Sequence, residues 1–311
     1  MKNSNSSNNP KTKCGRVAII GRPNVGKSTL LNFLIGEKLA SISPKPQMTR
    51  DVIRGILTIP NGKTFESPYR GQIIFLDTPG AHQPHDVLGE EMIHDIRQSL
   101  EDADILYWMV YPRTIGETEL KLLRWLKDFT KPVFLLVNQV DKFPKLEILP
   151  AIDSYQKEYP FKEFIPISAV SGENIKVLVQ KTLEYLPEGD FVYPEDQISD
   201  QNERFHVQEM IREKLYHELE DELPYAAAVR LETFKEEEKI TRIQATIIVE
   251  RDSQKAIVIG KGGAKIKTIG RTARLEIEKF LGKKVFLELW VKVMSEWKES
   301  KSFLREIRGQ L

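Results

Sequence analysis

The sequence of 311 residues has a single cysteine, Cys14, and no long apolar run. One cysteine cannot form an internal disulfide or a multi-cysteine zinc site, so we expect a reducing, cytoplasmic compartment. The longest apolar run, Ile105 to Tyr111, is far shorter than the roughly 20 residues that a bilayer-spanning helix needs, and a membrane-spanning protein is not expected. Residues 1–14 are polar and lack an apolar h-region, which predicts a disordered tail and not a signal peptide.

Net charge is also nearly absent, because 46 basic residues are balanced by 45 acidic ones. The distribution is uneven: the stretch from Lys255 to Arg274 has basic but no acidic residues, whereas acidic residues dominate between His217 and Glu238. The basic stretch favours a polyanion-binding surface, although a charged run alone is more typical of a solvated face. With 41% apolar residues, a chain of this length predicts about two globular domains.

Two patterns of secondary structure follow one another along the chain. Residues 15–186 alternate short β-branched runs with amphipathic stretches, which predicts an α/β domain with a doubly wound mixed sheet. This sheet is expected to include an antiparallel hairpin at Asn61-Gly62. A Pro- and Gly-containing linker is predicted at 187–202. Residues 203–297 predict an α+β domain in the order helix, strand, strand, helix, helix, strand, and residues 298–311 form a C-terminal tail.

The first predicted strand, Val17–Ile20, runs directly into a phosphate-binding pattern. Gly21-Arg22-Pro23-Asn24-Val25-Gly26-Lys27-Ser28 matches the P-loop sequence G-x-x-x-x-G-K-S between a strand and a helix. The glycines let backbone N–H groups turn towards phosphate oxygens, and the helix N-terminus adds partial positive charge. Lys27 is expected to reach the β- and γ-phosphates, and Ser28 to ligate Mg²⁺.

Two other segments predict further contacts with Mg²⁺ and the γ-phosphate. Asp77-Thr78-Pro79-Gly80 ends an apolar strand, which places Asp77 as a metal ligand and the Gly80 N–H as a sensor of the γ-phosphate. Thr49 lies in the polar segment between the first helix and the second strand, where its hydroxyl could ligate Mg²⁺. Lys27, Thr49 and Gly80 form the predicted catalytic set.

Selection of guanine is predicted from the ends of the next two strands. Asn138-Gln139-Val140-Asp141 follows the strand Val133–Val137, and the carboxylate of Asp141 can accept from the ring N–H and the exocyclic amine of guanine. Adenine presents an acceptor there and is rejected. Ser168-Ala169 is expected to pack against the other edge of the base. Because Asn and Asp also suit helix caps, the interpretation depends on the order of all these motifs along the chain.

A second loop motif lies in the C-terminal domain. Gly260-Lys261-Gly262-Gly263 places G-x-x-G between two predicted helices, which is the KH arrangement, and the element order suits the type II KH topology. Lys261 is expected to contact nucleic-acid phosphate, with Lys265 and Lys267 nearby. Residues expected in the core, or at its rim for the tryptophans, are Ile257, Ile266, Ile269, Trp290 and Trp297.

Taken in order, the motifs of residues 15–186 resemble the five guanine-nucleotide motifs of translation-factor-class GTPases. From residue 15 to 297 the chain resembles the bacterial Era family. The resemblance lies in the sequence of Gly21–Ser28, in the Lys45–Arg50 segment and in the KH-like region. The resemblance implies a GTPase that binds 16S rRNA near its 3′ end and acts in assembly of the 30S ribosomal subunit. It also implies that the protein is a monomer and does not bind DNA. The expected location is the cytoplasm, with peripheral contact with the cytoplasmic face of the inner membrane.

Three features depart from the family pattern. Gln139 replaces the usual lysine of the base-recognition motif, which predicts weaker nucleotide affinity, while guanine selection through Asp141 is retained. Met48 replaces a usual threonine. The stretch Pro60–Gly71 is longer than usual and is expected to form a protruding hairpin.

Hydrolysis is expected to be slow. Ala81, included among the predicted nucleotide contacts, stands where Ras-type proteins place the glutamine that orients the attacking water. His82 and Gln83 fit a solvent-exposed loop better than a catalytic role, and nothing in the sequence favours Arg50 or Arg54 as a catalytic arginine. Related GTPases with asparagine at the position of Asn24 resemble one another in using a bound K⁺, which predicts hydrolysis stimulated by K⁺.

Two competing functions remain open at the level of sequence. Gln139 and Ala81 would also suit an RNA-binding assembly scaffold with a weak or degenerate nucleotide site. A tRNA-modifying GTPase is disfavoured, because such enzymes need a further catalytic module and Cys14 is the only cysteine. The leading interpretation is a GTP-hydrolysing switch that binds RNA through a KH domain.

Overall fold

The computed structural model describes residues 12–308 except 44, 46, 47, 61–64, 66–68, 81–85 and 128. The described residues divide into two compact units, one within 1–38, 52–81 and 96–200, the other within 39–51, 82–95 and 201–311. The predicted turn at Asn61-Gly62 and the residues Ala81, His82 and Gln83 lie outside the described residues. None of the described helices is long and apolar enough to cross a membrane.

The first unit is built on six strands joined mainly by helices. Its strands are β1 (Lys13–Gly21), β2 (Ile53–Ile59), β3 (Gly71–Asp77), β4 (Ile105–Val110), β5 (Val133–Val137) and β6 (Glu163–Pro166). Its helices are α1 (Lys27–Ile35), the later part of α2 (Val87–Asp102), α3 (Glu117–Leu123), α4 (Lys145–Gln156) and α5 (Ile175–Tyr185).

The strand order of this sheet is β2-β3-β1-β4-β5-β6. All neighbours pair in parallel except β2 and β3, which are antiparallel, so the predicted doubly wound mixed sheet is confirmed. Every residue of β4 and β5 is buried, as expected for inner parallel strands that are apolar throughout. The carboxyl ends of parallel strands meet at one edge of the sheet, which brings together the loops that follow β1, β3, β5 and β6.

Sequence patterns missed or misjudged parts of this unit. Helix α4 was not predicted, because Pro150 interrupts it and Leu146 and Leu149 are 88% and 69% exposed, which hides its amphipathic period. The amphipathic stretch after β4 forms only a short helix, since α3 ends at Leu123 and a 3₁₀ turn follows.

The second unit contains a three-stranded sheet with helices. In chain order its elements are α6 (Glu203–Glu218), β7 (Ala228–Glu236), β8 (Ile240–Val249), α7 (Asp252–Ile259), α8 (Ala264–Leu281), β9 (Lys284–Val293) and α9 (Lys301–Ile307). The sheet order is β7-β8-β9, antiparallel and then parallel. The predicted order is confirmed, because the parallel pair β8–β9 needs a crossover connection, which α7 and α8 supply.

The core of this unit follows the alternation of β8. Ile243, Ala245 and Ile247 are buried with the inner faces of α6 and α8, including Ile211 and Ile269. A second, smaller cluster lies around the unpredicted helix α9, and it contains Leu88, Met92, Ala228, Ile248, Trp297, Phe303, Leu304 and Ile307. Residues 301–307 of the predicted C-terminal tail therefore form a packed helix, which begins where Ser300 Oγ accepts from the Phe303 N–H.

Candidate functional site

The loop between β1 and α1 depends on two glycines. Gly21 and Gly26 have φ angles of 155° and 105°, which side chains rarely adopt. A Cβ at Gly26 would lie 2.3 Å from Asn138 Nδ2, and one at Gly21 would lie 2.4 Å from the Met109 carbonyl oxygen. The loop can therefore take this close-packed path only with glycine, and it delivers Lys27 and Ser28 to the first turn of α1.

Lys27 is buried inside this loop. Its Nζ donates to the carbonyl oxygens of Gly21 at 3.4 Å and Arg22 at 3.2 Å. Burial lowers the pKa of Lys27 to about 8, although the nearby carboxylate of Asp77 partly opposes that shift. An anion bound in the loop would raise the pKa of Lys27 and so favour its charged form.

Asp77, the last residue of β3, is fully buried beside Ser28. Ser28 Oγ donates to Asp77 Oδ2 at 2.6 Å, while Asp77 Oδ1 is buried with no hydrogen-bond partner among the described residues. Burial raises the pKa of Asp77 to about 6, and the Lys27 charge and the Ser28 hydroxyl act against that rise. A serine hydroxyl and a carboxylate with one unpartnered oxygen are oxygen donors of the kind that fits Mg²⁺.

The turn after β3 packs directly on the loop after β1. Thr78 Oγ1 donates to the Ile19 carbonyl oxygen at 2.8 Å, which fixes the turn to β1. A Cβ at Gly80 would lie 2.8 Å from Pro23 Cγ and 2.9 Å from Pro23 Cα. Gly80 is therefore the residue through which this turn and the P-loop come into backbone contact.

Asn138 joins three of the predicted motifs. Its Nδ2 donates to the Val25 carbonyl oxygen at 2.7 Å, and its Oδ1 accepts from the Ala169 N–H at 3.0 Å. Asn138 is 2% exposed, so both bonds lie away from water. The structure thus brings the P-loop, Asn138–Asp141 and Ser168–Ala169 to the same edge of the sheet.

The residues around Asn138 present a polar rim. Gln139 takes a left-handed conformation with φ of 67°, and the Val140 N–H donates to the Ile167 carbonyl oxygen at 3.3 Å. Asp141 is exposed, so its carboxylate can accept hydrogen bonds from a ligand. Ser168 is buried, and its Oγ accepts from the Ser171 N–H at 3.1 Å.

An ion pair at the P-loop was not predicted. Arg22 NH1 lies 3.1 Å from Glu119 Oε1 on α3, with the arginine side chain half exposed and the glutamate nearly buried. Glu119 Oε2 also accepts from the Gly116 N–H at 3.3 Å, so the acid caps its own helix. Nothing in the sequence links positions so far apart.

Thr49 belongs to the second unit, within residues 39–51. It is 8% exposed, and its neighbour Arg50 is held by carbonyl and aromatic groups of that unit. Arg50 NH1 donates to the Ala227 carbonyl oxygen and Arg50 NH2 to Tyr216 Oη, both at 3.0 Å. The guanidinium also lies 5.6 Å from the centroid of the Trp297 ring. These contacts fix Arg50, and with it the segment 39–51, within the second unit.

The G-x-x-G loop of the second unit is formed by a 3₁₀ turn between α7 and α8. Gly260, Gly262 and Gly263 have φ angles of 73°, 61° and 77°. A Cβ at Gly262 would meet nothing within 4 Å, so the loop exposes its backbone there. Lys261 and Lys267 are exposed and Lys265 is half-buried, which leaves three cations beside an accessible backbone.

Among the apolar residues near this loop, the outcomes differ. Ile269 is buried and Ile266 packs against the core, as expected. Ile257 is 50% exposed, so its assignment to the core was wrong; on the short helix α7 only Val258 is buried. Trp297 is buried, and its Nε1 donates to the Ala226 carbonyl oxygen at 3.0 Å, whereas Trp290 is 43% exposed.

Two known protein families match parts of this chain. Residues 16–139 match the family described as 50S ribosome-binding GTPase, and residues 222–298 match the KH domain family. GTPase Era of Staphylococcus haemolyticus (strain JCSC1435) is 45% identical over 297 residues, which cover 95% of this chain and 96% of that protein.

Two solved structures agree with this match. A crystal structure of a variant Era from Aquifex aeolicus bound to GDP·AlF4⁻ is 41% identical, with a TM-score of 0.88, and covers 95% of this chain and 98% of that chain. A crystal structure of Era in complex with MgGDPNP and nucleotides 1506–1542 of 16S ribosomal RNA is also 41% identical, with a TM-score of 0.89 and the same coverage.

Proposed function

The chain belongs to the Era family of GTPases, and we propose that it is a guanine-nucleotide switch that binds the 3′ end of 16S rRNA during assembly of the 30S subunit. One observation carries the nucleotide part: the P-loop, Asp77 and the Asn138–Asp141 motif meet at one edge of the first sheet. The related Era that holds MgGDPNP and nucleotides 1506–1542 of 16S rRNA supports both ligands.

The residues have separate tasks in this proposal. The loop 21–28 surrounds the phosphates, with Lys27 on the β- and γ-phosphates. Ser28, Asp77 and Thr49 hold Mg²⁺, which neutralises phosphate charge when bound. Asp141 selects guanine, and Ala169 lies behind the base. Asn138 belongs to the base-binding motif and also holds Val25 and Ala169 in place.

Hydrolysis is proposed to be slow. Ala81 has no side-chain group that could orient a water, so the rate depends on fixed positive charge and on backbone donors such as the Gly80 N–H. Asn24, exposed and with φ of 63°, is proposed to hold K⁺ as a further charge. Exchange of KCl for NaCl at equal ionic strength should lower turnover, and equal rates would contradict the K⁺ role.

RNA binding is proposed for the G-x-x-G loop. The open backbone at Gly262 lets a phosphate approach, Lys261, Lys265 and Lys267 supply countercharge, and the exposed Ile257 offers an apolar contact for a base. The chain is proposed to act as a cytoplasmic monomer in peripheral contact with the inner membrane.

The test is GTP turnover by the full-length chain with Mg²⁺, with and without an RNA of nucleotides 1506–1542. The proposal expects turnover in wild type, its loss in Lys27→Ala, and weakened RNA binding in a Lys261→Ala/Lys265→Ala/Lys267→Ala variant that still hydrolyses GTP. RNA binding without any turnover would instead support a scaffold with a degenerate nucleotide site.

A further inference from the structure

Arg308, directly after α9, is surrounded by three carboxylates. Its Nε lies 2.5 Å from Asp51 Oδ1 and its NH1 lies 2.8 Å from Glu91 Oε2, while its NH2 pairs with Asp95 Oδ2. The arginine side chain is only 5% exposed, so these are not solvent-screened surface pairs. A guanidinium presents its N–H donors as a rigid planar fork, which can serve three acids at once. We call Arg308, Asp51, Glu91 and Asp95 the Arg308 clamp.

The acids of the clamp come from two segments that border the predicted nucleotide motifs. Asp51 ends the segment 39–51, which contains Thr49. Glu91 and Asp95 lie in the first half of α2, the helix that follows Asp77–Gly80 in the chain. One arginine therefore ties both segments to the end of the C-terminal helix.

Further contacts of the second unit hold the segment 39–51 in the same position. Arg212 NH2 donates to the Met48 carbonyl oxygen, and Ser41 Oγ donates to the Glu209 carbonyl oxygen at 3.3 Å. With Arg50 on Ala227, the residues on both sides of Thr49 are fixed to groups of α6 and of the residue just before β7. The placement of Thr49 is thus determined by the KH-containing unit.

The first half of α2 is held in a comparable way. Leu88 and Met92 pack in the small apolar cluster with Trp297 and Leu304. Lys298 Nζ lies 3.7 Å from Asp86 Oδ2, just before the helix begins. The clamp adds the contact that joins this helix and the segment 39–51 through a single side chain.

We propose that Arg308 is a positioning residue that couples the nucleotide site to the KH domain. A nucleotide that displaces Thr49 or the start of α2 changes the clamp, and the clamp belongs to the same unit as the G-x-x-G loop, so the proposal expects RNA at that loop to respond to this change. By linkage, each ligand then changes the affinity of the other by an equal factor. The proposal rests on the switch function proposed above.

The test measures that factor directly. The dissociation constant of an RNA of nucleotides 1506–1542 is determined for the full-length chain loaded with Mg-GDPNP and with Mg-GDP, and the ratio of the two constants is the coupling factor. We expect the two constants to differ by about fivefold or more in wild type and their ratio to fall close to one in Arg308→Met. Arg308→Lys, which keeps the charge but loses the fork, should also reduce it.

Two controls separate coupling from damage to the fold. Arg305→Met removes an exposed arginine from the same helix and should leave the ratio unchanged. In Arg308→Met three acids lose their countercharge, so the combined variant with Glu91→Gln and Asp95→Asn should recover thermal stability. The coupling factor should stay low in the combined variant, because the arginine bridge is still absent.

The outcomes distinguish the clamp from the function on which it rests. A wild-type ratio of one would overturn the switch function and the clamp together. A wild-type ratio that persists in folded Arg308→Met would overturn the clamp alone, as would a loss of coupling in Arg305→Met of the same size.

Discussion

Asn138→Ala tests the argument that one buried amide organises the nucleotide site. The substitution removes the hydrogen bonds to the Val25 carbonyl oxygen and from the Ala169 N–H, at 2.7 and 3.0 Å, in a place that water does not reach. A buried donor or acceptor left without a partner costs about 1–3 kcal/mol. Two such groups predict a loss of roughly 2–6 kcal/mol, divided between stability and nucleotide binding.

The assay is a titration of the full-length variant with fluorescent Mg-GDP, accompanied by thermal unfolding. Since about 1.4 kcal/mol corresponds to a tenfold change in an equilibrium constant, the dissociation constant should rise at least about tenfold and the melting temperature should fall. Gln197→Ala is a matched control, because it removes one amide–carbonyl bond, to Ser199, outside the nucleotide motifs. It should change the affinity less than about twofold. If Asn138→Ala binds GDP as tightly as wild type and unfolds at the same temperature, the reasoning is wrong.

Three further results are expected. Gly80→Ala places a Cβ about 2.8–2.9 Å from Pro23 atoms, so single-turnover GTP hydrolysis should slow, whereas Gly189→Ala, where a Cβ meets nothing nearer than 3.8 Å, should leave the rate unchanged; equal rates would contradict the contact. Asp141→Asn should lower GDP affinity and raise affinity for xanthosine diphosphate, measured by competition, and an unchanged preference would refute its role. Burial lowers the pKa of Lys27 to about 8, so the lysine loses its charge above that pH. The affinity of wild type for Mg-free GDP should therefore fall about tenfold per pH unit above pH 8. An equal fall in the affinity of Lys27→Met over the same pH range would contradict this assignment.

The sequence predicted the parts of the fold that repeat a local rule. β4 and β5 are uninterrupted apolar runs, and the P-loop combines two glycines, a lysine and a serine at fixed spacing between a strand and a helix. Such patterns depend on neighbours in the chain, so the doubly wound mixed sheet and the KH order of elements could be anticipated.

Contacts between residues far apart in sequence could not be anticipated. Arg308 and Asp51 are separated by 257 positions, and no periodicity relates them. Helix α4 escaped because its exposed leucines obscure the apolar stripe, and Ile257 was misplaced because a two-turn helix has too few residues for its buried face to be read. Thr49 was assigned to the nucleotide from spacing, yet its segment is placed by contacts with the second unit that spacing does not reveal.

Equilibrium binding of labelled GTP in excess Mg²⁺ is the decisive measurement for the nucleotide site. We expect saturable binding at one site per chain, displaced by unlabelled GTP but not by ATP, and lost in Lys27→Ala. Absence of saturable binding, or equal displacement by ATP, would contradict a guanine-nucleotide site at the turn from β1 to α1.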